Sequence, residues 1–548
     1  MNILLNGRNV PCEKGQRYEE VIRSLPGGGK GALGVCVGGR AVSLNAMVED
    51  GVCARVLTYF DEEGRRIYER TIQFVLLAAA RRVLPGARVR IEHSFGQALF
   101  VRLPGTTVTR ALVARLEREM RLLVEEDLPI RRIETTKKEA NEYFEKTGQM
   151  DKLRLLRYRN FDKFRFYELD GMYEYFYGEM APSTRYVSVF ALRCYLPGLL
   201  LRTPDKDNPG NVAPFRDLPK LMRTFGETGR WNGILKCENA ADINEMIEKR
   251  RFREFIRVNE ALHERSIEKI ADQFVESGAR LILIAGPSSS GKTTFAHRLI
   301  IALKALGLRP MKLSLDDYYL DRKDIPVGED GKQDLERLDT LDVPLLDEHL
   351  VKLLQGEAVE APIFDFVTGE RSSATHTFCV GPDQPIVIEG IHALNEQLTE
   401  SVPREMKFKV YISALTMLNL DDHNRIRTTD ARLLRRIVRD YQFRGTSPEE
   451  TMAMWPSVRN GEENYIFPYQ EEADAMFNSV LAYELPIMKK YVYPMLCAVP
   501  PESECYTLAR RLVKFLNYLR TADVEDEIPI NSILREFIGG CCFYREED

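Results

Sequence analysis

The chain lacks any apolar run near the ~18 residues needed to span a bilayer, so no membrane-spanning helix is expected. It also lacks a basic excess: 77 Lys and Arg stand against 82 Asp and Glu, a net charge of −5. No global field therefore draws it to nucleic acid or to an anionic membrane surface. Its opening, MNILLNGRNVPCEKG, has neither a basic n-region nor a long apolar stretch, so it is not expected to act as a secretory signal. Ten cysteines occur without one C-x-x-C, and the neighbours Cys541 and Cys542 are not spaced as metal ligands. A chain of this size needs no disulfide staples, so reduced thiols in the cytoplasm are the expectation. Histidine is nearly missing from the front half: His93 is the only one in residues 1–225, which excludes a His-rich zinc site there.

What is present is the composition of a multi-domain globular protein. A length of 548 residues implies about three to four domains, and 44% hydrophobic with 29% charged residues is an ordinary balance. No internal repeat or low-complexity tract is found. Residues 1–62 are expected to be a small β-rich module, with two short strands around the Asn6-Gly7 turn signal, a helix from Tyr18 to Leu25, and strands in Ala32–Val37 and Val52–Tyr59. Residues 63–225 are expected to be an α+β unit, with helical patterns at Thr71–Leu84 and Thr109–Glu126 and a strand pair at Val89–His93 and Ala98–Leu103. Residues 226–279 are charged and helical in pattern, which predicts a connector with a solvated face. From 280 to 522 strand-like and helix-like segments alternate, predicting an α/β fold with a parallel sheet covered by helices on both faces. The tail, 523–548, is acidic at first and then apolar over Ile528–Ile538.

The strongest chemical signal is Gly286-Pro287-Ser288-Ser289-Ser290-Gly291-Lys292-Thr293, a match to G-x-x-x-x-G-K-[ST], continued by Thr294. An apolar strand, Leu281–Ala285, enters it and a helix-forming segment leaves it. Glycines let backbone N–H groups turn toward phosphate oxygens, and the helix presents its positive end to the same anion. Lys292 supplies a mobile charge for the β- and γ-phosphates, and Thr293 a hydroxyl ligand for Mg²⁺. The loop alone leaves ATPase, GTPase, motor and kinase open.

Three further groups narrow the choice. A second strand, Met311–Leu315, delivers Asp316 and Asp317 at its carboxyl end, where ligands of open α/β sheets bind. A carboxylate there can accept the proton of an attacking hydroxyl. A third strand, Pro385–Ile388, ends in Glu389, placed to hold Mg²⁺ directly or through water. Arg432, Arg435, Arg436 and Arg439 share one helical face. Such a face can act as a mobile lid that neutralises the transferred phosphoryl and excludes water, as a kinase needs and an ATPase does not.

Taken in order, GPSSSGKTT, SLDDYYLDR, DLERLDTLDVPLLDEHLVKLLQGEAVEAPIFDF, IVIEGIHAL and DARLLRRIVRDYQFRG resemble the uridine kinase and phosphoribulokinase family over about 280–485. The resemblance implies an ATP- and Mg²⁺-dependent phosphotransferase, with the 5′-hydroxyl of uridine or cytidine as acceptor. Asp316 would be the base, with Lys292 and Arg436 the other catalytic groups. Gly286 to Thr294, Arg435 and Arg439 would bind ATP. Thr293 and Glu389 would hold the metal, and Tyr319, Glu336, Phe364, Phe366, Arg371 and Arg432 would lie on the acceptor side. The base-reading segment departs from the family. Where uridine kinases commonly have Tyr-Asp-Phe followed shortly by His, this chain has Phe364-Asp365-Phe366 followed by Val367-Thr368-Gly369-Glu370-Arg371. Missing donors relax or change base selectivity, so another polyol or a sugar phosphate stays open as acceptor.

The front half resembles threonyl-tRNA synthetase. Residues 1–62 look like its β-grasp (TGS) module and 63–225 like its editing-type domain. The resemblance places Arg70 and Phe74 at the two positions of the editing H-x-x-x-H, and Met172-Tyr173-Glu174-Tyr175-Phe176 at its C-x-x-x-H, so every ligand position is lost. A regulatory or binding role, RNA included, is the expectation for this half, and a nucleotide-dependent RNA-associated regulator is the competing reading of the whole chain. Uridine kinases are often oligomeric, so a homo-oligomer is compatible with the resemblance.

Overall fold

The computed structural model describes residues 2–159, 162–326, 336–365 and 368–544. Strands Asn2–Leu5 and Arg8–Pro11 form the hairpin signalled by Asn6-Gly7. The first of them runs parallel to Cys53–Leu57, which pairs antiparallel with Gly34–Val37, and Arg40–Val42 closes the five-stranded sheet. Helix Tyr18–Ser24 covers it with Tyr18, Val21 and Ile22. The following helix spans Glu62–Val83, starting well before the apolar pattern at Thr71. Its first turns add charge to apolar contact: Ile67 and Tyr68 are buried, and Arg66 pairs with Glu62 and lies 3.7 Å from Asp430. Around it lie a four-stranded antiparallel sheet, which includes the expected pair Arg90–Phe95 and Ala98–Arg102, and a three-stranded sheet of Arg131–Thr136, Lys163–Leu169 and Met172–Glu174. Helix Arg110–Glu125 is capped by the Thr109 hydroxyl.

The C-terminal part is a parallel sheet of β1 (Leu281–Ala285), β2 (Met311–Ser314), β3 (Ile386–Glu389), β4 (Lys407–Ser413) and β5 (Ala475–Asn478), in the order β2-β3-β1-β4-β5. Every residue of β1 and β4 is buried; β1 is a continuous apolar run, as a strand covered on both faces should be, whereas β4 also buries Lys407 and Lys409, both paired with Glu396. The helices that matter here are α1 (Phe252–Ser277), α2 (Lys292–Ala305), α3 (Thr428–Phe443), α4 (Pro448–Tyr465) and α5 (Glu484–Cys497). Among the described residues no helix is long and apolar enough to cross a membrane.

Residues 226–279 are helical, and besides a solvated face they carry an apolar one. One face of α1, with Phe255, Ile256, Ile267, Ile270 and Phe274, belongs to the same core as β1 and α2. The apolar part of the tail packs there too: Ile533, Leu534 and Phe537 are fully buried in that core. The core also takes in Phe144, Leu155, Phe164 and Tyr175 of the front half, so apolar packing crosses the boundary at 225. Polar contacts reinforce it. Arg88 forks onto both oxygens of Asp422 at 2.5 and 2.7 Å, and the Asn419 side-chain amide donates to the Ile91 carbonyl at 2.7 Å.

A fragment beginning at Arg280 should therefore lose cooperative unfolding, because three or more core side chains of α1, each contributing about 2–4 kcal/mol, leave with it. Thermal melts followed by circular dichroism test this, and a soluble fragment melting as sharply as the full chain would contradict it.

Candidate active site

The phosphate loop follows from the close approach of two backbones. Gly286 lies so near β4 that a Cβ there would be 2.0 Å from the Ile412 carbonyl oxygen. The loop then turns through positive φ at Ser289 (58°) and Gly291 (86°), and α2 starts at Lys292. Gly291 combines that backbone with a neighbour, Ile533, that leaves no room for a side chain. The Lys292 ammonium is folded over the loop, donating to the carbonyls of Gly286 at 2.9 Å and Pro287 at 3.4 Å. Burial lowers its pKa, and the charge of Glu389 opposes the shift. Thr293 Oγ1 donates to Glu389 Oε1 at 2.9 Å, with the Lys312 ammonium 3.7 Å from the same oxygen.

Asp316 is delivered by the adjacent strand. β2 ends at Ser314, and a single 3₁₀ turn, Leu315–Tyr318, begins with the Asp316 N–H donating to Ser314 Oγ at 3.3 Å. Asp316 is exposed at the surface, beside the phosphate loop's lysine and Glu389. Crowding by the surrounding protein, which displaces solvating water, followed by the charge of Glu389, pushes its pKa up to about 6, with Lys292 pulling the other way. P-loop, Asp316 and Glu389 thus meet at the carboxyl ends of three neighbouring strands.

The sequence profile of the Phosphoribulokinase / Uridine kinase family matches residues 281–485. A uridine kinase from Deinococcus deserti is 32% identical over 197 residues, 36% of this chain and 86% of that protein. One from Lactobacillus helveticus is 33% identical over 195 residues, covering 35% and 83%. The chain belongs to the phosphoribulokinase/uridine kinase family. The family profile lies in the C-terminal part. The solved structure of a possible uridine kinase from Bacillus stearothermophilus aligns with 39% of this chain and 97% of its own at 19% identity, with a TM-score of 0.27.

Within this family domain the arginine face divides in two. Arg432 and Arg435 are almost completely buried. Arg432 pairs with both oxygens of Glu462 and donates to the Ser288 carbonyl at 3.0 Å. Arg435 pairs with Glu484 at 2.5 Å and donates to the Ser479 carbonyl. They brace the loop from behind, so the expectation that all four arginines form one mobile lid is corrected. Buried guanidinium groups need fixed anions, and Glu462 and Glu484 supply them. Burial would raise the Glu462 pKa, but the charges of Arg432 and Arg459 hold it below the usual carboxylate range. Arg436 reaches the loop's front, donating to Ser288 Oγ at 2.8 Å, and shares Asp440 with Arg439.

The acceptor side is partly rebuilt. Arg371 donates to the carbonyls of Tyr318 and Tyr319 and to Asp342, so it holds the 3₁₀ turn in place. Tyr319 and Phe364 face each other at 5.7 Å. Glu336 packs against Gly461, and its charge is felt at Lys292 and Arg436. Phe366 lies outside the described residues. Gly369, in the stretch where the family commonly has its His, packs on Arg322, whose Cδ would be 2.5 Å from an added Cβ.

Sequence reasoning missed Glu462, Glu484 and Glu536, because isolated glutamates far along the chain carry no local signal. Glu536 is in the tail. Its Oε2 accepts from Thr294 Oγ1 at 2.7 Å and from the Thr294 N–H at 3.3 Å, at the N-terminal turn of α2. A carboxylate thus sits on donors of the kind that cradle phosphate.

Glu462→Gln should destabilise the protein by about 3–5 kcal/mol, since it leaves Arg432 buried without a full counter-charge. Urea unfolding would show it, and a midpoint unchanged from the parent would refute the bracing role.

Proposed function

We propose that the protein is an ATP- and Mg²⁺-dependent kinase that transfers the γ-phosphoryl group to the hydroxyl of a small acceptor, by preference the 5′-hydroxyl of a pyrimidine nucleoside. The observation that carries this is the meeting of Lys292, Thr293, Glu389 and Asp316 at the strand ends of a family kinase domain. Family membership supports a phosphotransferase, and the relatives' own description as uridine kinases supports the nucleoside.

Gly286 to Thr294 would hold the phosphates through backbone N–H groups, with Lys292 swinging from the loop carbonyls to the β- and γ-phosphates. Thr293 and Glu389 offer the paired oxygens that a hard divalent cation prefers, and a bound Mg²⁺ would screen the phosphate charge. Asp316 would take the acceptor proton. Arg436 and Arg439, at the front of the loop, would meet charge developing on the transferred group. Catalysis is then positioning and charge stabilisation, as phosphoryl transfer requires.

A second acceptor class, another polyol or a sugar phosphate, is favoured by residues 364–371, where the tyrosine hydroxyl and the His that uridine kinases commonly carry are both absent.

For the front half we propose a β-grasp module at 1–62 and an editing-type domain at 63–225 without its metal chemistry, joined through 226–279 to a kinase domain at 280–522 and a tail at 523–548. The sheet order supports the first. The second is supported by two of the lost ligand positions, Phe74 and Phe176, whose rings pack 5.5 Å apart. His93 is stacked 3.7 Å from Phe225, and burial brings its pKa down to about 3.

ADP release across uridine, cytidine, other nucleosides, simple sugars and no acceptor tests the reading, with Lys292→Ala as control. No acceptor stimulation alongside ATP binding would overturn it. Asp316→Asn should lower transfer by about 10²–10⁴-fold with ATP affinity retained; wild-type turnover would remove Asp316 as the base. Only the ionised carboxylate accepts a proton, so kcat/KM should fall as pH drops through about 6, and a flat profile would contradict the assignment. Phosphate and Glu536 compete for the Thr294 donors. Glu536→Gln should tighten ATP binding by about three- to tenfold, whereas equal affinity would mean that the phosphates do not use them.

A further inference from the structure

Between the front half and the kinase domain lies a cavity of two adjoining lobes, with volumes of about 580 and 500 Å³, within the range of small-molecule sites. Arg66, Glu69, Arg425, Arg427, Asp430 and Arg511 border both lobes. Twelve cationic side chains and six carboxylates line the two together, in a chain whose net charge is −5.

The carboxylates are shared rather than matched. Glu69 serves Arg425 at 3.2 Å and Arg427 at 2.9 Å. Asp430 serves Arg511, with a second arginine, Arg66, at 3.7 Å. Among the described residues Arg70 donates only to the Glu179 carbonyl, and no carboxylate lies within ion-pair distance of it. Arg425 is about nine-tenths buried, and its Nε finds no acceptor among the described residues. Burial and the neighbouring arginines bring the Arg427 pKa down to about 9, with Glu69 opposing them. Guanidinium groups concentrated beyond their counter-charges, with N–H donors left over, are the surroundings that a phosphate dianion satisfies.

We propose that this cavity is a binding site for a small phosphorylated molecule, separate from the phosphate loop. Arg425 and Arg70 supply the uncommitted donors, and Arg427 and Arg511 the surrounding charge. The site is also connected to the loop. Arg459, on its wall, donates to Glu462 at 2.6 Å, and Glu462 holds both Arg432 and the Ser288 N–H, the latter at 3.0 Å. An anion that draws Arg459 toward itself loosens its hold on Glu462, and so reaches the loop through two ion pairs.

The test reads binding, so it stands whether or not the kinase reading survives. Inorganic pyrophosphate is titrated by calorimetry into the full chain and into Lys292→Ala, which impairs the phosphate loop. A saturable site should persist in Lys292→Ala with affinity within about twofold of the parent. Adding Arg425→Gln or Arg70→Gln should weaken it by about tenfold each, the loss of one charge-assisted hydrogen bond. Both replacements leave the Glu69–Arg427 pair intact, and melting temperatures within about 2 °C of the parent would show that the fold is kept. Disappearance of all binding in Lys292→Ala would overturn the proposal. So would unchanged affinity in both arginine variants, or a cavity that takes RNA but not pyrophosphate.

Discussion

The buried pair of Arg432 and Glu462 is the contact on which the rest of the kinase domain depends. Glu462 accepts from the Ser288 N–H while Arg432 donates to the Ser288 carbonyl, so the pair grips both polar groups of one loop residue. A phosphate loop must keep its backbone donors turned toward a ligand, and an ungripped loop would turn them to its own acceptors. Two buried charges would be costly apart. Together, with Arg459 on the second carboxylate oxygen and the ring of Trp455 5.4 Å from the guanidinium, they form a rigid brace.

That brace explains the division of labour among the arginines. Arg432 and Arg435 on the inner side of α3 are spent on architecture, while Arg436, further round, reaches the Ser288 hydroxyl and shares Asp440 with Arg439. Helical spacing puts all four on one stripe, but the stripe is wide enough for two to be fully buried and two only partly so. The carboxylates tell the same story. Glu389 sits at a strand end beside Thr293, whereas Glu536 comes from the far end of the chain to the first turn of the same helix. There it satisfies the Thr294 hydroxyl and N–H, so the tail is fixed to the helix that follows the phosphate loop.

The front half is not an appendage. Its aromatic residues Phe144, Phe164 and Tyr175 share a core with α1 and α2, and its polar contacts converge on residues 419–427, the stretch that leads into α3. Whatever shifts that stretch shifts the helix that braces the loop. The arginine-lined cavity opens at this junction, where two charged surfaces meet without mutual neutralisation.

The amino-acid sequence by itself determined the parallel α/β unit, the phosphate loop, and the arrival of Asp316 and Glu389 at strand ends. These are local: apolar runs set the strands, and a glycine-lysine signature sets the turn. It also determined the opening hairpin, because Asn6-Gly7 suits only a tight turn, and the helix capped by Thr109. Only the tertiary structure decided which arginines face a ligand, since burial depends on Glu462 and Glu484, tens of residues away. It alone decided that α1 has a core face, because charged residues on the outer face hide an apolar inner one until a neighbour covers it. The tail's carboxylate at Thr294 and the shared anions of the cavity also come from chain segments hundreds of residues apart, a proximity that no local spacing encodes.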